Sequence, residues 1–374
     1  MKKLHGTPHN IQENILGIIT KSKRVFKKKY IYLTDKAKLP NGYAAALTSL
    51  SDFNSPLPFI SNIAKPDLIK EGDVALIAKD GSISILYESN SLHNAIMATE
   101  RCNLNCIMCP QPHVKHEVDK TDFNLRLLSL CNKNINEIGI TGGEPTLLGD
   151  NLFRLLSYIK DNFQKTAVSL LSNGVRFADR EFVKSLCSIG LKNLQIDIPL
   201  YSDIDSIHNQ IVGANAFYKT IDGLYNLALF RQRIGLRIVV HKQTYKRLSY
   251  LAEFIYRNLP FVSHIAFMQM ETTGLAADNI DKLWIDPYDY QSELKEAIFT
   301  LVRRDMNVSI YNAQLCVLPQ TLWKFARRSI SEWKNIYINE CTDCEVRDMC
   351  AGFFVSSENI HSKHIQSINL VKGG

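Results

Sequence analysis

Short apolar runs alternate with amphipathic stretches over most of the chain. Runs at residues 95–99, 137–141, 167–172, 193–200, 236–241 and 264–270 predict strands. Apolar residues recurring every three or four positions over 151–163, 180–189, 216–232 and 245–258 predict the helices between them. A further helix is expected at 287–304, after a loop at 272–277, and 306–311 is a candidate last strand. A strand returns every ~30–40 residues, the length of one strand plus its crossover helix. Six such units predict an α/β fold with a parallel sheet, either doubly wound or curled into part of a barrel.

The first 88 residues have a different texture. Gly72–Ala78 and Ser82–Tyr87 flank Asp80-Gly81, a dipeptide suited to a tight primed turn, and predict a β-hairpin. Three segments follow: 1–88, a small β-containing domain and a candidate for docking a peptide; 89–312, the α/β core; and 313–374, a cysteine-bearing tail.

The predicted strands end in polar residues. These are Cys102, Gly142-Gly143-Glu144, Ser172-Asn173, Asp197, and His241 with Gln243. In 194–198, alternation puts Gln195 and Asp197 on one face and the aliphatics on the other. Parallel α/β folds bind ligands at the C-terminal ends of their strands, so these residues point to one shared pocket.

Composition narrows the class. The chain has 374 residues, 45% apolar and 22% charged, enough for a large core. No apolar run approaches the ~18 residues of a membrane span. After Met1-Lys2-Lys3 comes the polar stretch His5–Asn10, where a signal peptide needs apolar residues, so a cytoplasmic protein without a membrane partner is expected. Of the +7 net charge, much sits early: Lys21, Lys23, Arg24, Lys27, Lys28 and Lys29 are bunched. This is a solvated face or a docking surface for an acidic peptide or nucleic acid. The absence of interleaved aromatics argues against single-stranded nucleic acid.

Nine cysteines are present. An odd number without an export signal argues for reduced thiols. Cys102, Cys106 and Cys109 have the spacing Cys-x3-Cys-x2-Cys. Zinc would want a fourth protein ligand, whereas an iron–sulfur cubane accepts three thiolates and leaves one iron open. Further on, Thr141-Gly142-Gly143-Glu144-Pro145 follows the second predicted strand, where glycines allow close backbone approach.

Together the two motifs resemble the radical S-adenosylmethionine (SAM) superfamily. The resemblance implies a partial (β/α)6 TIM-like barrel and a [4Fe-4S] cluster on Cys102, Cys106 and Cys109, with SAM on the open iron. It places Met108 by the adenine and Gly142, Gly143, Glu144 and Pro145 around the methionine end of SAM, the Glu144 carboxylate near the ammonium. Ser172-Asn173-Gly174 resembles the family's third-strand motif near SAM. Asp197 sits where the fourth strand offers a polar group to the ribose. Each of these last two is equally readable as a turn or a lumen hydrogen bond.

Cys341, Cys344 and Cys350 form a second cluster, Cys-x2-Cys-x5-Cys. It is similar to the auxiliary-cluster extensions (SPASM and twitch) of radical SAM peptide maturases, except that the next expected cysteine is Phe354. Cys316 would complete four thiolates for one auxiliary [4Fe-4S] cluster, or for a structural zinc. Cys131 and Cys187 read as core residues. The stretches Cys109–Pro112, Leu283–Tyr290, Tyr311-Asn312 with 315–318, Cys350–Phe354 and His361-Ser362 resemble the C-type His-Xaa-Ser system radical SAM maturases. That resemblance implies hydrogen abstraction from a ribosomally made precursor peptide. It also implies a flavodoxin- or ferredoxin-type reductase and a second radical SAM maturase as partners. The alternatives are a radical SAM enzyme acting on tRNA or a small molecule, and an iron–sulfur electron-transfer or redox-sensing protein.

Overall fold

The computed structural model describes residues 2–23, 27–36, 42–114, 116–328, 336–357 and 360–370. The chain divides into two compact units. One comprises Met1–Ala98, Asp119–Gly139 and Arg154–Ala167; the other comprises Thr99–Val118, Ile140–Phe153 and Val168–Gly374.

The first unit holds β1 (Lys2–His5), β2 (Thr7–His9), β3 (Ile15–Thr20), β4 (Tyr30–Thr34), β5 (Ala45–Thr48), β6 (Phe59–Ser61), β7 (Val74–Ile77) and β8 (Ser82–Tyr87). They pair in the order β1-β8-β7-β3-β4-β5-β6-β2. The two ends of that order are consecutive in the chain, with Gly6 alone between them, so the sheet's edges meet and close a barrel. One aliphatic core fills it, with Ile19, Ile31, Leu47, Ile60, Ile77 and Ile83 among its members. Closure leaves fewer edges for strand addition. The β3–β6 ladders are parallel. β5 and β6 are buried on both faces, as inner parallel strands are.

The expected hairpin is β7–β8, antiparallel. Its connection is not the two-residue primed turn expected from Asp-Gly. Gly81 N donates to Ala78 O and Ala78 N to Ser82 O, both at 3.0 Å, leaving a three-residue loop. Gly81 occupies its left-handed position, at φ +84°. A Cβ on Gly81 would lie 2.1 Å from Gly6 O, and one on Gly6 would lie 2.4 Å from Ser61 O. The barrel therefore closes through a corner too tight for side chains. Gly81→Ala is expected to cost about 2 kcal/mol or more, from left-handed strain plus the clash, seen as a lower urea midpoint.

Helix α1 (Thr121–Leu130), not anticipated from the sequence, packs on β3. Cys131 follows it and is buried, its thiol donating to Leu127 O at 3.3 Å. The exposed basic run lies in this unit; Arg24 falls outside the described residues.

The second unit is α/β with a parallel sheet. β11 (Ala167–Leu171), β12 (Leu194–Pro199), β13 (Arg233–Val240), β14 (His264–Gln269), β15 (Val308–Tyr311) and β16 (Ala326–Arg327) lie side by side in chain order, all parallel. Next come the C-terminal ends of β9 (His93–Thr99) and β10 (Glu137–Gly142), where Gly143 N donates to Thr99 O at 2.8 Å. This is the partial TIM barrel expected of the core, with β15 at the candidate last strand and β16 added.

The helices are α2 (Asp150–Asn162), α3 (Arg180–Ser188), α4 (Asp205–Val212), α5 (Phe217–Leu229), α6 (Leu248–Asn258), α7 (Leu275–Asp278), α8 (Ile280–Leu283) and α9 (Gln291–Val302). Within the second unit the helices bury apolar stripes, such as Leu248, Leu251, Ala252 and Ile255 of α6. Asp286 caps the tight turn Pro287–Tyr290 through Tyr288 N at 3.0 Å, and α9 continues from that turn at Gln291. Cys187 is only half-buried rather than core, its sulfur 4.0 Å from Gln232 Oε1. No described helix is long and apolar enough to cross a membrane.

Candidate functional site: three thiols and a braced loop

The three cysteines lie on the loop after β9. Its backbone is fastened at Asn105 N and Ile107 N to Val212 O and Ile211 O of α4, each at 2.9 Å. Leu275 N reaches Cys109 O at 2.9 Å, and Asn279 Nδ2 reaches Ile107 O at 3.0 Å. Two left-handed glycines permit this approach. A Cβ on Gly213 would lie 2.6 Å from Asn105 O, and one on Gly274 would lie 2.6 Å from Pro110 O.

Burial pushes all three thiols up, Cys106 to about 12, and each of the other two adds to the rise at Cys106. Three neighbouring thiolates are thus unfavourable without a cation to neutralise them, which is what an iron–sulfur core supplies. Among the described residues, no group of three His, Cys, Asp or Glu converges as a single-ion site. Met108 is buried with Leu104, Tyr201, Ile211 and Val212 in an apolar cluster against which Cys102 and Cys106 pack.

The loop after β10 is pressed against this one. Cβ atoms on Gly142 and Gly143 would each lie 2.1 Å from a carbonyl oxygen, of Thr99 and Arg101 respectively, so only glycine fits. Glu144 N donates to Arg101 O at 2.7 Å. The Glu144 side chain turns inward and is fully buried. Its Oε1 accepts from Thr146 N at 3.0 Å, Thr146 Oγ1 at 2.5 Å and Ser172 Oγ at 2.8 Å. Its Oε2 accepts from Asn173 N at 2.6 Å. Burial raises its pKa while these donors oppose the rise. Four protein donors thus meet the carboxylate expected beside an ammonium, and it ties the β10 loop to the β11 loop. Pro145 starts the short turn that follows.

Asn173 carries the connection on, with Nδ2 on Asn103 Oδ1 at 2.7 Å, inside the cysteine loop. Gly174 follows at φ +86°. The structure therefore brings Cys102, Cys106, Cys109, Met108, Gly142–Pro145, Ser172 and Asn173 together. Asp197 is separately engaged: Oδ2 accepts from Ser169 Oγ and Oδ1 from Gln195 Nε2, each at 2.8 Å. The predicted alternation along β12 is present, with the aliphatics buried.

Sequence reasoning missed Tyr201. It is buried beside the triplet, its pKa raised by burial and by the three thiols. Continuing the alternation Gln195, Asp197, Pro199 by one step would have found it. His241 is buried at the end of β13, its Nδ1 accepting from Gln243 N at 3.3 Å and its Nε2 without a partner. Burial lowers its pKa to about 4, so it is neutral.

In the tail, Cys316, Cys341, Cys344 and Cys350 line one small cavity, walled by Leu315, Val346 and Ile368. Leu315 N points at Cys350 Sγ at 3.4 Å and Ile368 N at Cys344 Sγ at 3.5 Å. Burial pushes the Cys316 thiol up to about 11. Phe354 is buried.

A parallel partial barrel with three thiols on its first loop and a glycine-glycine-glutamate loop on its second is the arrangement expected from the resemblance to the radical SAM superfamily. In agreement, residues 96–255 match the model of the Radical SAM superfamily, and this match supports assigning the chain to it. Curated relatives align over parts of the chain. GTP 3′,8-cyclase of Desulforamulus reducens is 33% identical over 118 residues, 30% of this chain and 35% of its own. Fe-coproporphyrin III synthase of Methanosarcina barkeri is 25% identical over 161 residues, 42% of this chain and 39% of its own. An uncharacterised protein of Methanocaldococcus jannaschii is 29% identical over 187 residues, 47% of this chain and 61% of its own. The chain thus spans less than two thirds of each of these relatives. Native anSMEcpe with bound AdoMet and Kp18Cys peptide has a similar fold, with a TM-score of 0.51 at 16% identity, covering 75% of this chain and 92% of that one.

The donor set fits the cofactors implied by the superfamily. It offers three thiols on one backbone-anchored loop, an apolar wall at Met108, and a second loop that only glycine lets press against the first.

Proposed function

We propose that this chain is a radical SAM enzyme that modifies a ribosomally made precursor peptide of the His-Xaa-Ser type. The observation that carries the catalytic part is the Glu144–Ser172–Asn173–Asn103 linkage, which locks three strand-end loops around the cysteines. Cys102, Cys106 and Cys109 would hold a [4Fe-4S] cluster that, when bound, supplies reductive cleavage of SAM to methionine and a 5′-deoxyadenosyl radical. The chain's own residues bind and orient: the cysteine loop is immobilised by α4 and the 274–279 segment, and the glycine pair lets the β10 loop press against it. Tyr201 and Met108 keep that wall dry.

The peptide part is supported by four cysteines lining one small cavity, the donor set of an auxiliary cluster. A flavodoxin- or ferredoxin-type donor and a second maturase are the proposed partners. The test is anaerobic reconstitution with SAM and dithionite, followed by mass spectrometry of a His-Xaa-Ser repeat peptide. Formation of 5′-deoxyadenosine without any mass change in the peptide would overturn the substrate assignment.

Cys341→Ala is expected to leave 5′-deoxyadenosine formation in place and to abolish peptide modification, with metal content falling by the tail's share. Unchanged peptide modification would make the tail site dispensable.

A second reading, a small-molecule substrate, is favoured by the named GTP 3′,8-cyclase and Fe-coproporphyrin III synthase relatives. Turnover of GTP in the same assay separates it.

A further inference from the structure

Residues 360–370 form neither helix nor strand, yet both ends of the segment are fastened. At one end Ser362 is buried and its hydroxyl donates to the Asp286 carboxylate. Lys363 N donates to Asp286 Oδ2 at 3.1 Å, and His364 N to Ser362 Oγ at 3.0 Å. The His364 ring stacks on Tyr288 with centroids 3.9 Å apart. At the other end Glu345 N donates to Ile368 O at 3.0 Å, and Glu345 Oε2 accepts from Leu370 N at 2.7 Å. Ser367 Oγ adds a bond to Glu340 O at 2.6 Å.

Between these anchors the segment passes the four-cysteine cavity, which Gln366 and Ile368 help to line. The Gln366 amide hydrogen-bonds the Cys316 sulfur, and Ile368 N points at Cys344 Sγ at 3.5 Å. Alternate residues, Gln366, Ile368 and Leu370, thus turn their amides toward the cysteine segments, as extended backbone does. The Ile368 side chain packs with Leu315, Val346 and Cys350. Gln366 is exposed, so what it offers the cavity is its amide.

A neutral thiol is a weak acceptor, whereas a metal-bound thiolate keeps negative charge that an amide dipole stabilises. Amides already aimed at sulfur therefore suit the metal-bound state better than the free thiols. Hydrogen bonds to ligand sulfurs also set the potential of a cluster, and groups behind the ligands fix their orientation.

We propose that residues 362–370 are a strap belonging to the tail metal site, with the amides of Gln366 and Ile368 donating to metal-bound Cys316 and Cys344, and with Asp286 and Glu345 pinning its two ends. The proposal rests on the reading of the four cysteines as an auxiliary-cluster site and adds to it a pair of donors and an anchor from outside the cysteine motif.

The test uses the chain carrying Cys102→Ala, Cys106→Ala and Cys109→Ala as parent, so that only the tail cysteines load, reconstituted anaerobically with ferrous iron and sulfide. Iron release to a chelator and the midpoint potential are measured, with circular dichroism to check the fold. Gln366→Pro deletes the amide hydrogen and is expected to release iron about tenfold faster. It should also lower the midpoint potential, because a donor to sulfur favours the reduced cluster. Gln366→Ala keeps the amide and is expected to match the parent in both. Asp286→Ala frees the far end of the strap and is expected to speed release as well. Equal iron retention and equal potential in Gln366→Pro and Gln366→Ala, or unchanged release in Asp286→Ala, would overturn the strap. A parent that retains no iron and sulfide would instead refute the auxiliary-cluster reading.

Discussion

A chain carrying Cys102→Ala, Cys106→Ala and Cys109→Ala is expected to lose 5′-deoxyadenosine formation altogether. The fold should survive, because the three side chains are only partly buried and the loop is held by backbone bonds to α4 and to 275–279 rather than by sulfur. Iron and acid-labile sulfide should fall to whatever the tail cysteines retain. Single substitutions should approach the same loss, since three thiolates are the minimum for a cubane that leaves one iron open. Circular dichroism separates loss of the site from loss of fold. Persistent SAM cleavage by the triple variant would remove these residues from the chemistry.

The second large effect is expected at Glu144. Glu144→Ala would strand donors from Thr146, Ser172 and Asn173 in a site with no solvent access. Several unmet buried donors are expected to cost about 3–5 kcal/mol, read as a lower denaturation midpoint. SAM affinity, measured by calorimetry on anaerobic protein, should fall with it, because the loops on either side lose their common anchor. Glu144→Gln should recover part of the stability, since one amide oxygen can still accept while the NH2 group faces another donor. Full stability and unchanged SAM affinity in Glu144→Ala would show that the carboxylate is not the brace described.

The α/β alternation was plain in the sequence because strand and helix periods are local properties of a few consecutive residues. The triplet and the Gly-Gly-Glu-Pro stretch were equally plain, since each is contiguous. Short parallel strands such as β5 and β6 carry no alternation, being buried on both faces, and they were not legible. Helix α1 was missed as well. Cys316 could be proposed as a fourth thiol only because it lay outside any apolar face; its distance from Cys341 in sequence said nothing of the shared cavity.

The sequence by itself determined the kinds of element, their order and the donor types available at the strand ends, because propensity and side-chain chemistry act over a few residues. Only the tertiary structure decided that Gly6 joins the two ends of the N-terminal sheet, that Glu144 faces its own protein donors, and that Tyr201 lies buried beside the cysteine triplet. Each of these depends on how closely atoms from distant segments approach. Long-range packing sets that distance, and no pattern of neighbouring residues encodes it.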